Sequence, residues 1–161
     1  MKKIILLTMG LFLFGLTAFC QAEEENGTIY IKHAYIDVIN NTAKAYLAKD
    51  NATLNSYYSD TAKFWASGME KNISMADVIK HWNGDFDKYD DIKLTAQGYP
   101  DYLHYMDKDQ KYVQSWWVWS GKSKKTGEVL TVPFVQFDQF NNDGKIDFEM
   151  NYGDFSKMEQ D

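Results

Sequence analysis

The sequence predicts an α+β domain in which three N-terminal helices pack on a curved, mainly antiparallel sheet. Three observations carry this. Between Ile31 and Phe86 apolar residues recur at three- and four-residue spacing, the mark of helices with one buried stripe. From Ile92 onward they come in long β-rich runs. Asp143-Gly144 joins the last two runs, and Asp-Gly between alternating strands is a strong hairpin signal.

The 161 residues are 45% hydrophobic, 25% charged and 16% aromatic. That is one domain's length with enough apolar content for a core. Ten Gly and two Pro are too few for a disordered or collagen-like chain. The 17 basic residues are all Lys, against 23 acids, for a net charge of −6. An acidic, arginine-free surface argues against nucleic-acid partners, which need phosphate-neutralising cations.

Residues 1–22 read as an export signal. Lys2 and Lys3 precede an apolar run, Ile4 to Phe19, of about 16 residues, short of the roughly 20 that a membrane span needs. Two exits fit. Cleavage after Ala22 follows a small-x-small rule with Cys20 and Ala22, and gives a periplasmic or extracellular protein. Lipidation of Cys20 gives an outer-membrane or surface lipoprotein, and Cys20-Gln-Ala-Glu-Glu-Glu25 resembles an acidic surface tether, although Phe19 stands where such signals want a small residue. Lipid on Cys20 is then the one expected membrane contact. Cleavage removes Lys2 and Lys3 but no acid, so the charge becomes −8. Cys20 is the sole cysteine, so no disulfide, cysteine nucleophile or thiolate metal site is expected in the domain. Residues 23–28 read as a short tether, 29–157 as the domain and 158–161 as a tail. The sequons at Asn26, Asn40, Asn51 and Asn72 read as by-products of a high Asn content.

Within the domain, Thr28 is placed to cap a first helix running to about Lys49, with Ile31, Tyr35, Val38, Ile39, Thr42 and Tyr46 as its apolar stripe. Asp50-Asn51 breaks it, and a short helix from Ala52 to about Tyr58 leads to a strand, Ala62–Ala66. A third helix starts at Ser74, where Ser74-Met-Ala-Asp77 is a capping-box variant. Its apolar face is Met75, Val78, Ile79, Trp82 and Phe86, and Asn83-Gly84 is placed to bend or end it. Lys111–Gly121, Glu128–Phe140 and Lys145–Tyr152 are the main strands. In the last, Ile146, Phe148, Met150 and Tyr152 are expected on a dry face, and Asp147, Glu149 and Asn151 on a wet one. Such a sheet curled round helices encloses a cone with a cavity at its wide end.

This order of elements resembles the nuclear transport factor 2-like superfamily in its SnoaL-like, polyketide-cyclase-like branch. The carrying residues are AYLAKDNATLNSYYSDTAKFW (45–65) and FNNDGKI (140–146), with a Trp-rich strand and a Thr-Gly turn between them. The resemblance implies the cone-shaped, cystatin-like fold. It leaves activity open, because the family includes enzymes, binding modules and dimerisation modules. Its best-understood enzymes, the ketosteroid isomerases, need an Asp base at the end of the first strand, with a Tyr and a protonated Asp as oxyanion donors. The base position falls here at Trp65 or Ala66, the Tyr position near Thr42 and the oxyanion Asp position at Gln136. The resemblance therefore implies that the isomerase machinery is absent.

Other groups remain. Gln136 and Asp138 share a strand face with Val132, Phe134 and Phe140, a polar pair among aromatics suited to orienting a ligand. His81 and Asp138 together offer an acid–base dyad; the plainer reading makes His81 a solvated helix residue and puts Asp138 at a wet rim. His33 and His104 read as unpaired surface groups. Trp65, Trp82, Trp117, Trp119, Phe134 and Gln136 are the expected pocket lining, with Trp116 on the opposite sheet face. Residues 139–146 resemble the start of an EF-hand loop, but Gln139 opens it and Met150 stands where a bidentate Glu is required. No metal or cofactor is expected. The function expected is binding of a small apolar molecule in the cone, with two alternatives: a cyclase-, dehydratase- or hydrolase-like enzyme, or a homodimerising interaction module.

Overall fold

A computed structural model describes residues 25–159, with helices and strands as expected in kind. The expected export signal and Cys20 lie outside the described residues. Strand β1 is Gly27–Tyr30. Helix α1 is Ala34–Leu47, α2 is Asn51–Ser56 and β2 is Tyr58–Ala66. The two-residue β3, Ile73–Ser74, runs into α3, Met75–Lys88. Then come β4, Tyr89–Ala96; β5, Asp101–Tyr105; β6, Gln110–Ser123; β7, Val129–Phe140; β8, Ile146–Gly153; and a last helix, α4, Ser156–Glu159.

The eight strands form one sheet in the order β1-β5-β6-β7-β8-β2-β3, with β4 also on β6. β6 is long enough to hold β5 along Gln110–Gln114 and β4 along part of Trp117–Ser123, while β7 runs beside nearly all of it. Every pairing is antiparallel except β2 with β8, which is parallel. The sheet is thus mixed, and the described helices number four rather than three: α4 follows the sheet, and β1 precedes the first helix.

Local chemistry explains the boundaries. Thr28 caps nothing, because Gly27–Tyr30 pairs with β5 instead. Ile31, expected in the first stripe, is 71% exposed ahead of the helix. His33 caps α1 through Nδ1, which accepts the Tyr35 amide at 3.1 Å, and its ring stacks on Tyr102 at 3.7 Å. It is therefore not an unpaired surface group. Asp50 and Ser74 cap α2 and α3, accepting the amides of Thr53 and Asp77. Asn83-Gly84 does not end α3, whose packing carries it a further turn to Lys88. The expected hairpin forms: Asn141 Oδ1 accepts the amides of Asp143 and Lys145, and Gly144 takes φ +74°.

The last strand corrects an expectation. Ile146 is buried as foreseen, but Glu149 and Asn151 are buried too, while Tyr152 is 47% exposed. A register shift is the cause. Gln139 pairs with Phe148 while Phe140 pairs with Ile146, so β8 carries one extra residue at Asp147. Such a bulge shifts a strand's alternation by one. Beyond it the polar residues turn inward. Met150 and Tyr152 join Leu103, Tyr105, Tyr112 and Phe137 around a shallow apolar hollow formed without the inner-face residues.

Candidate functional site

Two aromatic-rich clusters make the core, one under α1, α2 and α3, the other around Tyr46, Tyr89, Trp119 and Val132. They do not fill the space between helices and sheet. A cavity of about 380 Å³ remains, walled by all three longer-range partners: α1 (Ile39, Thr42, Tyr46), α3 (Val78, His81, Trp82, Asp85) and the inner faces of β2, β6, β7 and β8.

Alternation along the strands decides which side chains reach it. On β6 Trp117 and Trp119 point inward, each 5% exposed, and Trp116 takes the other face. On β7 Phe134 and Gln136 do the same. Trp82 lines it from α3. Of the expected lining, Trp65 is the exception. Phe64 faces the cavity, so its neighbour faces away; the Trp65 ring lies 5.2 Å from Tyr152 and its Nε1 donates to the Met69 carbonyl. Ala66, at the isomerase base position, lines the cavity with no group that takes a proton. Thr42 lines it with its hydroxyl committed to the Ile39 carbonyl at 2.8 Å.

The polar floor lies on β7 and β8. Gln136 stands opposite Asn151, and Asp138 opposite Glu149, all four inside the sheet. The Gln136 amide donates to both oxygens of Asp138, at 3.1 and 2.9 Å. Glu149 accepts from the Tyr58 hydroxyl at 2.6 Å and from Asn151 Nδ2 at 2.9 Å. Two carboxylates facing each other across a ladder, both out of water, cannot both ionise readily. Burial first, then the Glu149 charge, raises Asp138 well above the carboxylate range. Burial pushes Glu149 up to about 7, opposed by the hydrogen bonds from Tyr58 and Asn151. Near neutral pH the pair therefore holds at least one proton.

Asp138 is thus neither at a wet rim nor in the lining: it is fully buried behind Gln136. His81 and Asp138 are not brought together. His81 sits exposed at the cavity edge on α3, one turn from Asp85, while Asp138 takes both its bonds from Gln136. His104, expected to be an unpaired surface group, is on β5 and lies 2.6 Å from Asp109.

A second polar chain crosses the cavity wall. Trp119 Nε1 donates to the Tyr46 hydroxyl at 2.9 Å, which donates to Asp85 at 3.1 Å. Burial raises Asp85 to about 6, and burial together with Asp85 raises the Tyr46 phenol, so Tyr46 stays a donor. Tyr58, Glu149, Asn151, Tyr46 and Asp85 were all missed as site residues. The signal for Glu149 and Asn151 was hidden by the bulge; that for Asp85 was its place one turn beyond His81 on the apolar side of α3.

No family model matches the chain, and no curated protein matches it in sequence. Solved structures do. A nuclear transport factor 2-like protein of unknown function from Exiguobacterium sp. 255-15 shares 26% identity at a TM-score of 0.51, over 74% of this chain and 94% of that one. IdmH, a candidate polyketide cyclase from Streptomyces antibioticus, superposes at a TM-score of 0.64 with 17% identity, over 80% and 97%. The chain has the nuclear transport factor 2-like fold of the SnoaL-like proteins. A further protein of this fold, described as ketosteroid isomerase-like and from Catenulispora acidiphila, superposes at a TM-score of 0.55 with 14% identity, over 72% and 84%, and was solved in complex with trimethylamine. The likeness of 45–65 and 140–146 to the SnoaL-like pattern thus extends to the whole architecture, with α1, α2 and β2 in the order that pattern implies.

Proposed function

We propose that this SnoaL-like domain is an exported protein that binds a small, largely apolar molecule in its cone. The observation that carries this is the cavity of about 380 Å³ beside Trp82, Trp117, Trp119, Phe64 and Phe134, with Gln136, Glu149 and Asn151 as its polar floor. A few polar groups in an aromatic enclosure are what a small-molecule site needs: apolar area for affinity, fixed dipoles for orientation. The trimethylamine complex of the Catenulispora protein is consistent with a small ligand on this fold. Tryptophan fluorescence tests it. A saturable change with small cyclic hydrocarbons bearing one polar group is expected, and it is lost when Ala43, in the cavity wall, is replaced by Phe. A signal unaltered by Ala43→Phe puts the ligand elsewhere and removes this reading.

One observation favours acid–base catalysis as a second reading. Glu149, with a carboxyl pushed up to about 7, is poised to exchange a proton at working pH from the cavity wall. It replaces the His81–Asp138 dyad as the candidate for a cyclase- or dehydratase-like step. Turnover that disappears in Glu149→Gln while binding persists supports catalysis; binding without turnover of any bound compound supports the module without chemistry. Self-association through the outer sheet face rests on the apolar hollow around Phe137, Met150 and Tyr152, and light scattering reads it directly.

A further inference from the structure

The cavity's hydrogen-bonding groups are out of balance. Its donors are almost all used within the protein. Thr42 donates to Ile39, Tyr58 to Glu149, Tyr46 to Asp85, Trp119 to Tyr46, Trp117 to Ser115, Gln136 to Asp138 and the Asn151 amide nitrogen to Glu149. The ring N–H groups of Trp82 and His81, toward the edge, and the second amide N–H of Asn151 have no such acceptor. Acceptors are left over. Asn151 Oδ1 is buried with no hydrogen-bond partner, in a residue only 6% exposed that lines the cavity. Asn151 spends its amide nitrogen on Glu149, which leaves the oxygen unpaired. An unpaired buried carbonyl is destabilising unless something donates to it.

The charges are out of balance too. Asp85 and Glu149 line the cavity, and among the described residues no lysine does. Six large rings stand in the wall, Tyr46, Phe64, Trp82, Trp117, Trp119 and Phe134, among aliphatic residues such as Leu54, Val78 and Leu94. Ring faces attract cations, most strongly where water is excluded, and Trp is the best of them. These rings, two carboxylates and a spare carbonyl disfavour anions, give a neutral alcohol one useful contact and suit an ammonium group, which leaves only the N–H donors unmet.

We propose that the cone's ligand is a small organic cation, a protonated alkylamine with at least one N–H. Its ammonium meets Glu149 and Asn151 Oδ1, and its hydrocarbon body lies against Trp82 and Trp117. This rests on the cavity being the binding site, and the test separates the two ideas. Three probes share one apolar body: cyclohexylammonium, cyclohexanol and cyclohexanecarboxylate. Each is titrated into the purified full chain at pH 7.5 and followed by calorimetry and tryptophan fluorescence. Cyclohexylammonium is expected to saturate at least about tenfold more tightly than cyclohexanol, and the carboxylate to give no saturable signal. Glu149→Gln is expected to weaken the ammonium about tenfold and to leave the alcohol unchanged. Asp85→Asn is a second variant for the same comparison, should Glu149→Gln lose its native near-UV circular dichroism. Alcohol or carboxylate binding as tightly as the ammonium overturns the cation inference and leaves the cavity reading standing. If none of the three probes binds, both fall.

Discussion

Glu149 concentrates what is unusual in this chain. A carboxyl that titrates near 7 when folded, and near 4.5 when unfolded, binds more protons in the native state across that window. Its contribution to stability is therefore present below about pH 4.5 and is lost as pH rises through 7. Asp138 acts in the same direction, and Asp85 does so between its ordinary range and about 6. The exposed caps Asp50 and Asp77, whose carboxyls are lowered, act oppositely, but they have finished titrating before pH 5. Thermal melts are thus expected to show a higher Tm at pH 5 than at pH 8, by on the order of 5 °C. Glu149→Gln is expected to flatten that slope, because the amide has no charge to strand. A Tm rising from pH 5 to 8 contradicts the buried-carboxyl account. Simple alternation on β7 predicts one inward face for Gln136 and Asp138, and both are buried there. It offered no hint that Asp138 needs Gln136 in front of it and Glu149 opposite, because that partnership joins two strands.

At the scale of elements, the legible parts were those with local causes. Ser74 and Asp77 define the start of α3, Asp50 breaks α1 from α2, and Asn141–Gly144 makes the hairpin; each is a few residues acting on their own backbone. What failed was decided at a distance. Gly27–Tyr30 is drawn from a helix cap into β1 by pairing with β5, and the Asp147 bulge in β8 is fixed by its neighbours β7 and β2. The bulge makes opposite predictions for two residues of β8 that simple alternation puts on one face. Ile146 has no exposure and touches the main core, so Ile146→Ala is expected to cost about 2–5 kcal/mol in urea unfolding. Met150→Lys, on the outer face, is expected to cost under about 1 kcal/mol. Had β8 kept simple alternation, Ile146 and Met150 would be equally buried and equally sensitive. Gly121 marks another fixed point. A Cβ there would lie 2.7 Å from the Trp119 ring, so Gly121→Ala is expected to cost about 1–3 kcal/mol and to change the near-UV circular dichroism of the cavity wall.

For the molecule as a whole, the aromatic excess read from composition has a place. Tyr30, His33, Tyr35, Tyr102 and Phe140 knit β1, α1, β5 and β7 together, with Tyr35 stacked on Phe140 at 4.1 Å. Tyr46, Trp82, Phe86, Tyr89 and Trp119 frame the cavity's other polar chain. The parallel contact of β2 with β8 brings residues from the beginning and end of the domain together: Tyr58 bonds Glu149 across a separation of 91 residues. That closure sets an order of events in time. Helices and the β6–β7 hairpin form from near neighbours, whereas the charged floor exists only after the last strand has crossed to the first half of the chain. A chain emerging N-terminus first passes through every strand before it has a polar site. In refolding, tryptophan burial is therefore expected to precede the appearance of ligand binding, so that recognition arrives as the final step of folding.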